Sequence, residues 1–204
     1  MATTGLDKMY YAKISEDENG NESYSAPVKL AKAISAELSV ELAEAILYAD
    51  DSAAETVKEF KSGSLTLGID DIGPEAAAAL LGVTVDKNGV VVSTTEDISN
   101  EVAILFRAAK ANGKYRYFVF YRVKFAIPST SLATKNDSIT FNTPSIVGTI
   151  MRRNKADSKG RHPWKAEVTE GDNSVSDTVI NGWYEDVYEP DYTAAQSNSQ
   201  QSGS

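Results

Sequence analysis

Alternating apolar and polar residues predict a structure built mainly from β-strands. Apolar residues recur at every second position from Ile34 to Leu42, with serine or glutamate between them, which is the period of a strand with one buried face. The same segment also fits a helical stripe with a spacing of four residues, from Leu30 to Ile46, so periodicity alone leaves both structures open. We favour the strand, in which Glu37 and Glu41 lie side by side on the polar face.

The residues after this segment predict a hairpin and then a helix. A polar stretch rich in small residues, Asp50–Lys61, precedes a second alternating run at 65–69. We interpret the whole as two strands joined by a long projecting β-hairpin loop. The next segment, Pro74–Gly82, has proline in its first turn, alanine and leucine inside and glycine at its end, which is typical of a short α-helix.

Two Asn-Gly dipeptides mark tight hairpins further along the chain. Asn88-Gly89 separates two valine-rich runs, and Asn112-Gly113 separates 102–108 from 115–125. Asn-Gly between β-rich runs favours a two-residue type I′ turn. Strict alternation places the odd-numbered residues of 115–125 on one face of their strand and the even-numbered residues on the other. Both faces carry large side chains, so both need cover.

The remaining segments complete a mainly β fold. They predict a strand pair at 138–141 and 146–152, a basic loop at 153–162, a strand at 164–168, and a helix or strand at 175–188 anchored by Trp183 and Tyr184. We expect an antiparallel β-sandwich in a single domain, residues 1–190, with one short flanking helix. Residues 191–204 lack the apolar side chains for a core and predict a disordered tail.

Charge is segregated into three blocks along the chain. Residues 1–100 carry 18 acidic and 7 basic side chains, residues 101–165 carry 3 and 13, and residues 166–204 carry 8 and 0. The net charges are therefore −11, +10 and −8, within a total of −9. Surfaces of opposite sign favour head-to-tail association of copies. The sequence thus predicts a self-associating chain whose polymerisation is sensitive to salt.

Few residues suggest catalysis or ligand binding. The chain has no cysteine, which excludes disulfides and thiolate metal sites. Its one histidine, His162, lies in a glycine- and proline-flanked loop, and no nucleotide-binding glycine motif is present. The acidic pairs Asp50-Asp51, Asp70-Asp71 and Glu96-Asp97 are more typical of turns and helix caps than of acid–base catalysis. We predict a protein that is not an enzyme and that has no cofactor and no metal site.

Membrane and nucleic-acid roles are also disfavoured. No apolar run approaches the length of a membrane span, and the N-terminus lacks the apolar region of a secretion signal. We therefore expect synthesis in the cytoplasm and no membrane association. The acidic total argues against a general nucleic-acid coat, although the basic middle block leaves that question open.

Several stretches together resemble the major tail proteins of long-tailed bacteriophages, of the phi13 type. The resemblance covers roughly residues 5–190 and rests on the order of elements. Its motifs are Leu47–Asp51, Leu65–Ile72, Pro74–Gly82, Lys114–Phe125, and Thr134-Lys135 followed by Ile139–Phe141. It implies a structural virion protein, assembled in the host cytoplasm, that forms hexameric rings stacked into the hollow tail tube. DNA then passes through the tube without specific binding.

The resemblance also implies roles for individual residues. Wall strands would be Ile34–Leu42 and Ser64–Asp70, with Leu38, Val40 and Leu42 in the subunit core. The residues expected to face the lumen are Glu37, Glu41 and Glu44. The loop expected to reach an adjacent ring is Asp50–Lys61, with the candidates Asp50, Asp51, Glu55, Val57, Glu59 and Phe60. Further inter-ring contacts would come from the N-terminal segment and from the stretch after Trp164.

A basic surface is expected to meet the acidic loop of a neighbouring copy. Its candidates are Arg152, Arg153, Lys155, Lys159 and Arg161. Other partners implied by the resemblance are the tape measure, tail terminator and distal tail proteins. Alternative interpretations are a monomeric β-sandwich that recognises carbohydrate or host protein, and the tube protein of a tail-like bacteriocin.

Overall fold

Eleven β-strands and two short α-helices make up the described part of the chain. The computed structural model describes residues 3–18, 21–49, 52–128, 143–172 and 174–192, with the side chains of all of these except 45–49 and 52–56. The strands are β1 (Thr3–Glu16), β2 (Glu22–Tyr24), β3 (Val28–Ala31), β4 (Ala33–Ala49), β5 (Ser52–Ile69), β6 (Thr84–Val85), β7 (Val91–Val92), β8 (Glu101–Lys110), β9 (Tyr115–Phe125), β10 (Ser145–Met151) and β11 (Lys165–Thr169). The helices are α1 (Pro74–Leu81) and α2 (Asp177–Asn181), and a 3₁₀ turn follows at Gly182–Tyr184.

One large antiparallel sheet forms the body of the molecule. Its strands run in the order β2-β1-β8-β9-β10-β5-β4, with β3 added to β1 and β11 added to β9, while β6 and β7 form a separate two-stranded sheet. The sheet folds over so that β1 and β4 come into contact without pairing. This mainly β, antiparallel arrangement confirms the predicted fold class. The predicted strand at 138–141 lies outside the described residues.

The larger hydrophobic core lies between the two parts of the folded sheet. Leu65 and Leu67 of β5 pack there with Ile104 of β8 and Phe120 of β9. All four side chains are fully buried or nearly so. The core therefore fixes β5 against β8 and β9. Strand β4 pairs with β5 and lies at the end of the sheet.

Helix α1 confirms the prediction and closes this core. Pro74 occupies its first turn, and Gly82 ends it in the left-handed conformation at φ 72°, which glycine adopts without steric cost. The side-chain amide of Asn100 donates hydrogen bonds to the carbonyl oxygens of Ala78 and Ala79. The Ala79 bond satisfies a carbonyl group in the last turn of the helix, whereas the Ala78 carbonyl also accepts the backbone N–H of Gly82.

A second, smaller core lies on the other face of β1, β8 and β9. The C-terminal segment covers this face with Trp183, which is 2% exposed, and Val187. Trp183 stacks on Tyr188 and lies near Tyr117 of β9. The predicted anchor role of Trp183 is therefore confirmed. The C-terminal segment is helical only over α2 and the following 3₁₀ turn.

A β-bulge in β1 lets residues on both sides of it face the larger core. Asp7 pairs with Arg107 and Tyr10 with Leu105, so two residues of β1 lie opposite one residue of β8. Lys8, the first of these two residues, has φ 51°, a left-handed conformation that is strained for a residue with a side chain.

We expect Lys8→Gly to stabilise the protein, because glycine adopts this conformation without the strain. The gain should be about 0.5–1 kcal/mol, since a left-handed residue costs about 1–2 kcal/mol and glycine loses part of this through backbone entropy. Chemical denaturation measures the free energy of unfolding. Lys8→Ala is the matched control, since it removes the long side chain but keeps the strained Cβ. Equal stabilities of the two variants would contradict the assignment of strain.

The two Asn-Gly hairpins are present, but their turns are not of type I′. Gly89 and Gly113 have φ of 80° and 78°, whereas neither preceding asparagine has a positive φ. Gly89 N–H donates to the carbonyl oxygen of Asp86, and Asp86 N–H donates to that of Val90. This is a type I turn followed by a left-handed glycine in a bulge. In each of these turns only the glycine adopts a left-handed conformation, whereas a type I′ turn would require one at the asparagine as well.

The predicted alternation along β9 fails after Tyr121. Val102 pairs with Val123 and Ile104 with Phe120, so β9 carries one residue more than β8 between these pairs. This bulge moves Val123 and Phe125 to the face of the larger core, whereas Tyr121 stays on the other face. After the bulge, the face of the smaller core continues with the side chains of Arg122 and Lys124.

The stretch predicted as a projecting loop, Asp50–Lys61, is a strand over its described part. β4 and β5 pair from Ala33 and Ile69 out to Ala49 and Ser52. The projecting element is therefore a long two-stranded hairpin. The missed stretch is mostly polar in sequence and has no apolar alternation that would have revealed the strand.

Candidate functional site

One long strand, β4, has a free edge in the described structure. This strand ends the path of the large sheet, and among the described strands only β5 pairs with it. A long edge strand of this kind presents backbone N–H and C=O groups that can pair with another chain. The seventeen residues of β4 therefore form a surface suited to extending the sheet.

One face of β4 and β5 is polar. Residues directly opposite each other in an antiparallel pair lie on the same face. Glu37 lies opposite Thr66, Ser39 opposite Ser64, and Glu41 opposite Ser62. β10 continues this face with residues that include Thr149, the partner of Ser64. The surface thus carries mainly hydroxyl groups, with two carboxylates near its free edge and the exposed Val147 opposite Thr66, and we call it the polar face.

The opposite face of the hairpin is apolar but only partly covered. Leu38 lies opposite the fully buried Leu65, so the expected orientation towards the core is correct. However, Leu38, Val40 and Leu42 are 39%, 40% and 55% exposed, and Ile34 is 50% exposed. The expectation that the core of the same chain buries them is therefore wrong. These side chains lie along the free edge of the sheet, where few strands remain to cover them.

The third lumen candidate, Glu44, lies on the apolar face by register. Even-numbered residues of β4 from Ala36 to Glu44 share one face. The extra residue in the pairing near Glu41 is Lys61 of β5, so the alternation along β4 is unbroken. Glu44 pairs with Lys58 at 3.4 Å, whereas Glu41 pairs with Lys61 at 3.6 Å and accepts a hydrogen bond from Ser62. The alternation groups Glu37 with Glu41 and separates Glu44 from them.

The inter-ring candidates are only partly described. Asp50 and Asp51 lie outside the described residues, and Glu55 lies in β5 with its side chain outside the description. Glu59 is exposed, and Val57 is 50% exposed. Phe60 instead stacks within its own chain, at 4.4 Å between ring centroids from Trp164. One face of the Phe60 ring is therefore already in contact within its own chain, and the inter-ring role of this residue stays a prediction.

The basic candidates are largely paired within the chain. Lys155 and Arg153 both pair with Glu189, at 3.0 and 2.7 Å. The Arg153 side chain is only 1% exposed, so its expected role as a partner-facing residue is wrong. Burial opposes the charge of Arg153, yet the hydrogen bond and the charge of Glu189 hold the pKa of its guanidinium above the ordinary value.

The other basic candidates lie in or beside the turn at 157–161. Arg161 pairs with Asp157 at 3.1 Å, and the side chains of Lys159 and Arg161 lie over the ring of Tyr192. Desolvation favours protonation of Asp157, but hydrogen bonds from the backbone N–H groups of Arg161 and Lys159 prevail and lower the pKa of its carboxyl to about 2. Arg152 is exposed.

The three charge blocks form ion pairs with one another within a single chain. Arg107 forms two hydrogen bonds with Asp7, at 2.7 and 2.8 Å, and Arg122 pairs with the buried Glu22. Hydrogen bonding to Asp7 raises the pKa of Arg107 above its ordinary value. The last block contributes Glu167, which pairs with Arg116 and Lys165, and Glu189. Much of the basic block is therefore already paired within the chain.

The residues considered for chemistry have structural contacts. Asp70 accepts a hydrogen bond from the backbone N–H of Lys32, and Asp97 accepts one from that of Thr94. His162 is exposed, with Nδ1 3.1 Å from the carbonyl oxygen of Arg153. In the part of the chain that the structure describes, no group of three or more histidine or acidic side chains could hold a metal ion. None of the described helices has the length and apolar character to cross a membrane.

Comparison with known proteins identifies one family. The family model described as phage tail tube protein matches residues 36–186, which include β4, β5 and α1. This match spans well over half of the chain. No curated protein matches the sequence.

Proposed function

The chain belongs to the phage tail tube protein family, and from this premise we propose that its copies form hexameric rings that stack into the hollow tail tube. Membership of the family makes it a structural protein of the virion tail. Through the tube, DNA leaves the particle during ejection. Residues 1–190 act as one tail-tube domain, and assembly takes place in the host cytoplasm.

The free edge of β4 is the observation that carries this proposal. An exposed edge strand with partly uncovered apolar side chains is a hazard for aggregation unless another chain pairs with it. Pairing with the next copy around a ring satisfies the backbone groups and covers Ile34, Leu38, Val40 and Leu42. Ring closure then removes the free edge altogether. The contact joins two different surfaces, as closed rings require.

The polar face supports a position at the bore. We propose that Glu37 and Glu41 face the lumen together with the hydroxyl groups of Ser39, Ser64 and Thr149. Carboxylates repel DNA phosphates over about 8–10 Å at physiological salt, and short hydroxyl side chains keep the wall smooth. Passing DNA therefore meets no adhesive surface. Glu44 is not part of this lining, because the register places it on the other face.

The type of tube and its partner proteins are proposed from the resemblance to the major tail proteins. We propose a tube of the phi13 type in a long-tailed phage, with the tape measure, tail terminator and distal tail proteins as its partners. The aromatic side chains that a carbohydrate-binding module would expose are here partly used for packing, since Trp183 is buried and Trp164 stacks on Phe60. The tube is therefore the better-supported function.

Electron microscopy of the purified protein tests the proposal. We expect negatively stained samples, examined fresh and after concentration, to contain rings or hollow rods. A protein that remains monomeric at high concentration, and that also fails to form rods when a nucleating tail complex is added, would contradict it.

Polymerisation should depend only weakly on salt, contrary to the expectation from the charge blocks. The reason is that Arg107, Arg122, Arg153 and Lys155 already have acidic partners within the chain, and exposed ion pairs contribute only about 0–1 kcal/mol each. The critical concentration, measured by sedimentation at low and high sodium chloride, should change by less than about threefold. A change of tenfold or more would restore the charge-pairing hypothesis.

A further inference from the structure

Three features coincide where the β4–β5 hairpin leaves the body of the molecule. The pairing of β10 with β5 ends at Gly63. Immediately beyond, Glu41 pairs with Ser62 but Leu42 pairs with Phe60, so Lys61 is an extra residue in β5. An extra residue of this kind bends a strand and increases its twist. We call the two-stranded part beyond this bulge, residues 42–49 and 52–60, the arm.

An aromatic stack supports the arm at its first residue pair. The rings of Phe60 and Trp164 lie parallel, with an interplanar angle of 4° and centroids 4.4 Å apart. Trp164 also contacts Phe120 of β9, at 6.4 Å between centroids. The rings of Phe60 and Trp164 both pack against the larger core. Trp164 immediately precedes β11, which is fixed by pairing with β9. The stack therefore joins the base of the arm to the rigid sheet.

The clear separation of the two faces of the hairpin ends at the same level. Below the bulge, the face of Glu37 and Glu41 is polar and the opposite face is apolar. Beyond it, the face that carried the glutamates continues with Ala43, Glu59 and the exposed Val57, and the opposite face carries the ion pair of Glu44 and Lys58. Both faces of the arm are therefore mixed, which distinguishes the arm from the wall.

We propose that Trp164, through its stack on Phe60 beside the Lys61 bulge, is the positioning residue that fixes the angle of the arm. The inference rests on the proposed function, because an arm held at a fixed angle is already oriented when it meets the next copy. Ordering the arm before contact reduces the entropy lost on association.

The angle can be measured in the isolated chain, independently of polymerisation. The chain has no cysteine, so spin labels can be placed at Val57→Cys on the arm and Ala111→Cys in the exposed β8–β9 turn. Pulsed electron spin resonance then gives the distribution of distances between the labels. We expect one narrow distribution for the otherwise unchanged chain and at least a doubling of its width in Trp164→Ala. Trp164→Phe should restore the narrow distribution, and deletion of Lys61 should shift its centre.

The outcomes separate this inference from the proposed function. An unchanged width and centre in Trp164→Ala would overturn the positioning role, even if tubes form. If Trp164→Ala does not fold, as judged by circular dichroism, Phe60→Ala removes the other ring and leaves Trp164 against Phe120. Loss of folding in both variants would assign the stack to the general core and also overturn the proposal. Broadening of the distribution in a chain that never forms tubes would support the positioning role but contradict the proposed function.

Discussion

The double variant Leu38→Lys, Leu42→Lys should form no tubes while keeping its fold. Both side chains lie on the apolar face beside the free edge of β4, and both are more than a third exposed. In the isolated chain, lysine can extend from these positions into solvent, so we expect a loss of no more than about 1–2 kcal/mol in the free energy of unfolding. In a tube, the same two charges would be buried against the next copy, and inward-pointing lysine on an edge strand is a known barrier to strand pairing.

The measurement is sedimentation of polymer across a concentration series, with thermal unfolding of the monomer as a check of the fold. Ile98→Lys is the matched control, because Ile98 is 73% exposed and lies after the β6–β7 hairpin, away from β4. The control should polymerise like the unchanged chain. Tubes of normal yield from the double variant would show that the β4 edge lies outside the interface between copies.

The second large effect is expected for Glu37→Lys, Glu41→Lys. These exposed residues lie on the polar face, opposite Thr66 and Ser62, so we expect normal folding and tube assembly. Each copy would then place two cations on the wall of the bore. Lysine–phosphate contacts supply most of non-specific DNA binding. Because the contacts repeat in every ring, DNA ejection from particles carrying the variant should slow by at least about tenfold.

Two controls separate the position of the charges from their number. Glu185→Lys, Asp186→Lys makes the same change in net charge on exposed residues of the C-terminal segment and should leave ejection normal. Glu37→Gln, Glu41→Gln removes the two carboxylates without adding cations and should have a smaller effect than the lysine pair. Ejection at the normal rate from particles carrying both lysines would remove Glu37 and Glu41 from the lumen.

Local patterns in the sequence predicted most strands because burial alternates along them. The period-two run from Ile34 to Leu42 proved to be part of β4, and the helix beginning at Pro74 follows from its proline, alanines and terminal Gly82. The strand beyond Ser52 was missed for the opposite reason. Beyond Gly63 only β4 pairs with it among the described strands, and its sequence shows no apolar period.

Details that depend on distant contacts could not be predicted from one sequence. The β9 bulge changes the faces of Val123 and Phe125 because β8 has one residue fewer than β9 between the partners of Phe120 and Val123, and no local signal marks it. The pairing of Arg153 with Glu189 joins residues 36 positions apart, so charge blocks that look complementary between copies are partly satisfied within one copy. The Lys61 bulge has the same origin, whereas the separation of Glu44 from Glu37 and Glu41 follows from the alternation along β4 itself.

The most direct test of the account is a helical reconstruction of the assembled tube by cryo-electron microscopy. We expect the edge of β4 to form backbone hydrogen bonds with a strand of the neighbouring copy, and the carboxylates of Glu37 and Glu41 to line the central channel. A tube in which the β4 edge remains unpaired, or in which these two glutamates lie on the outer surface, would contradict the account.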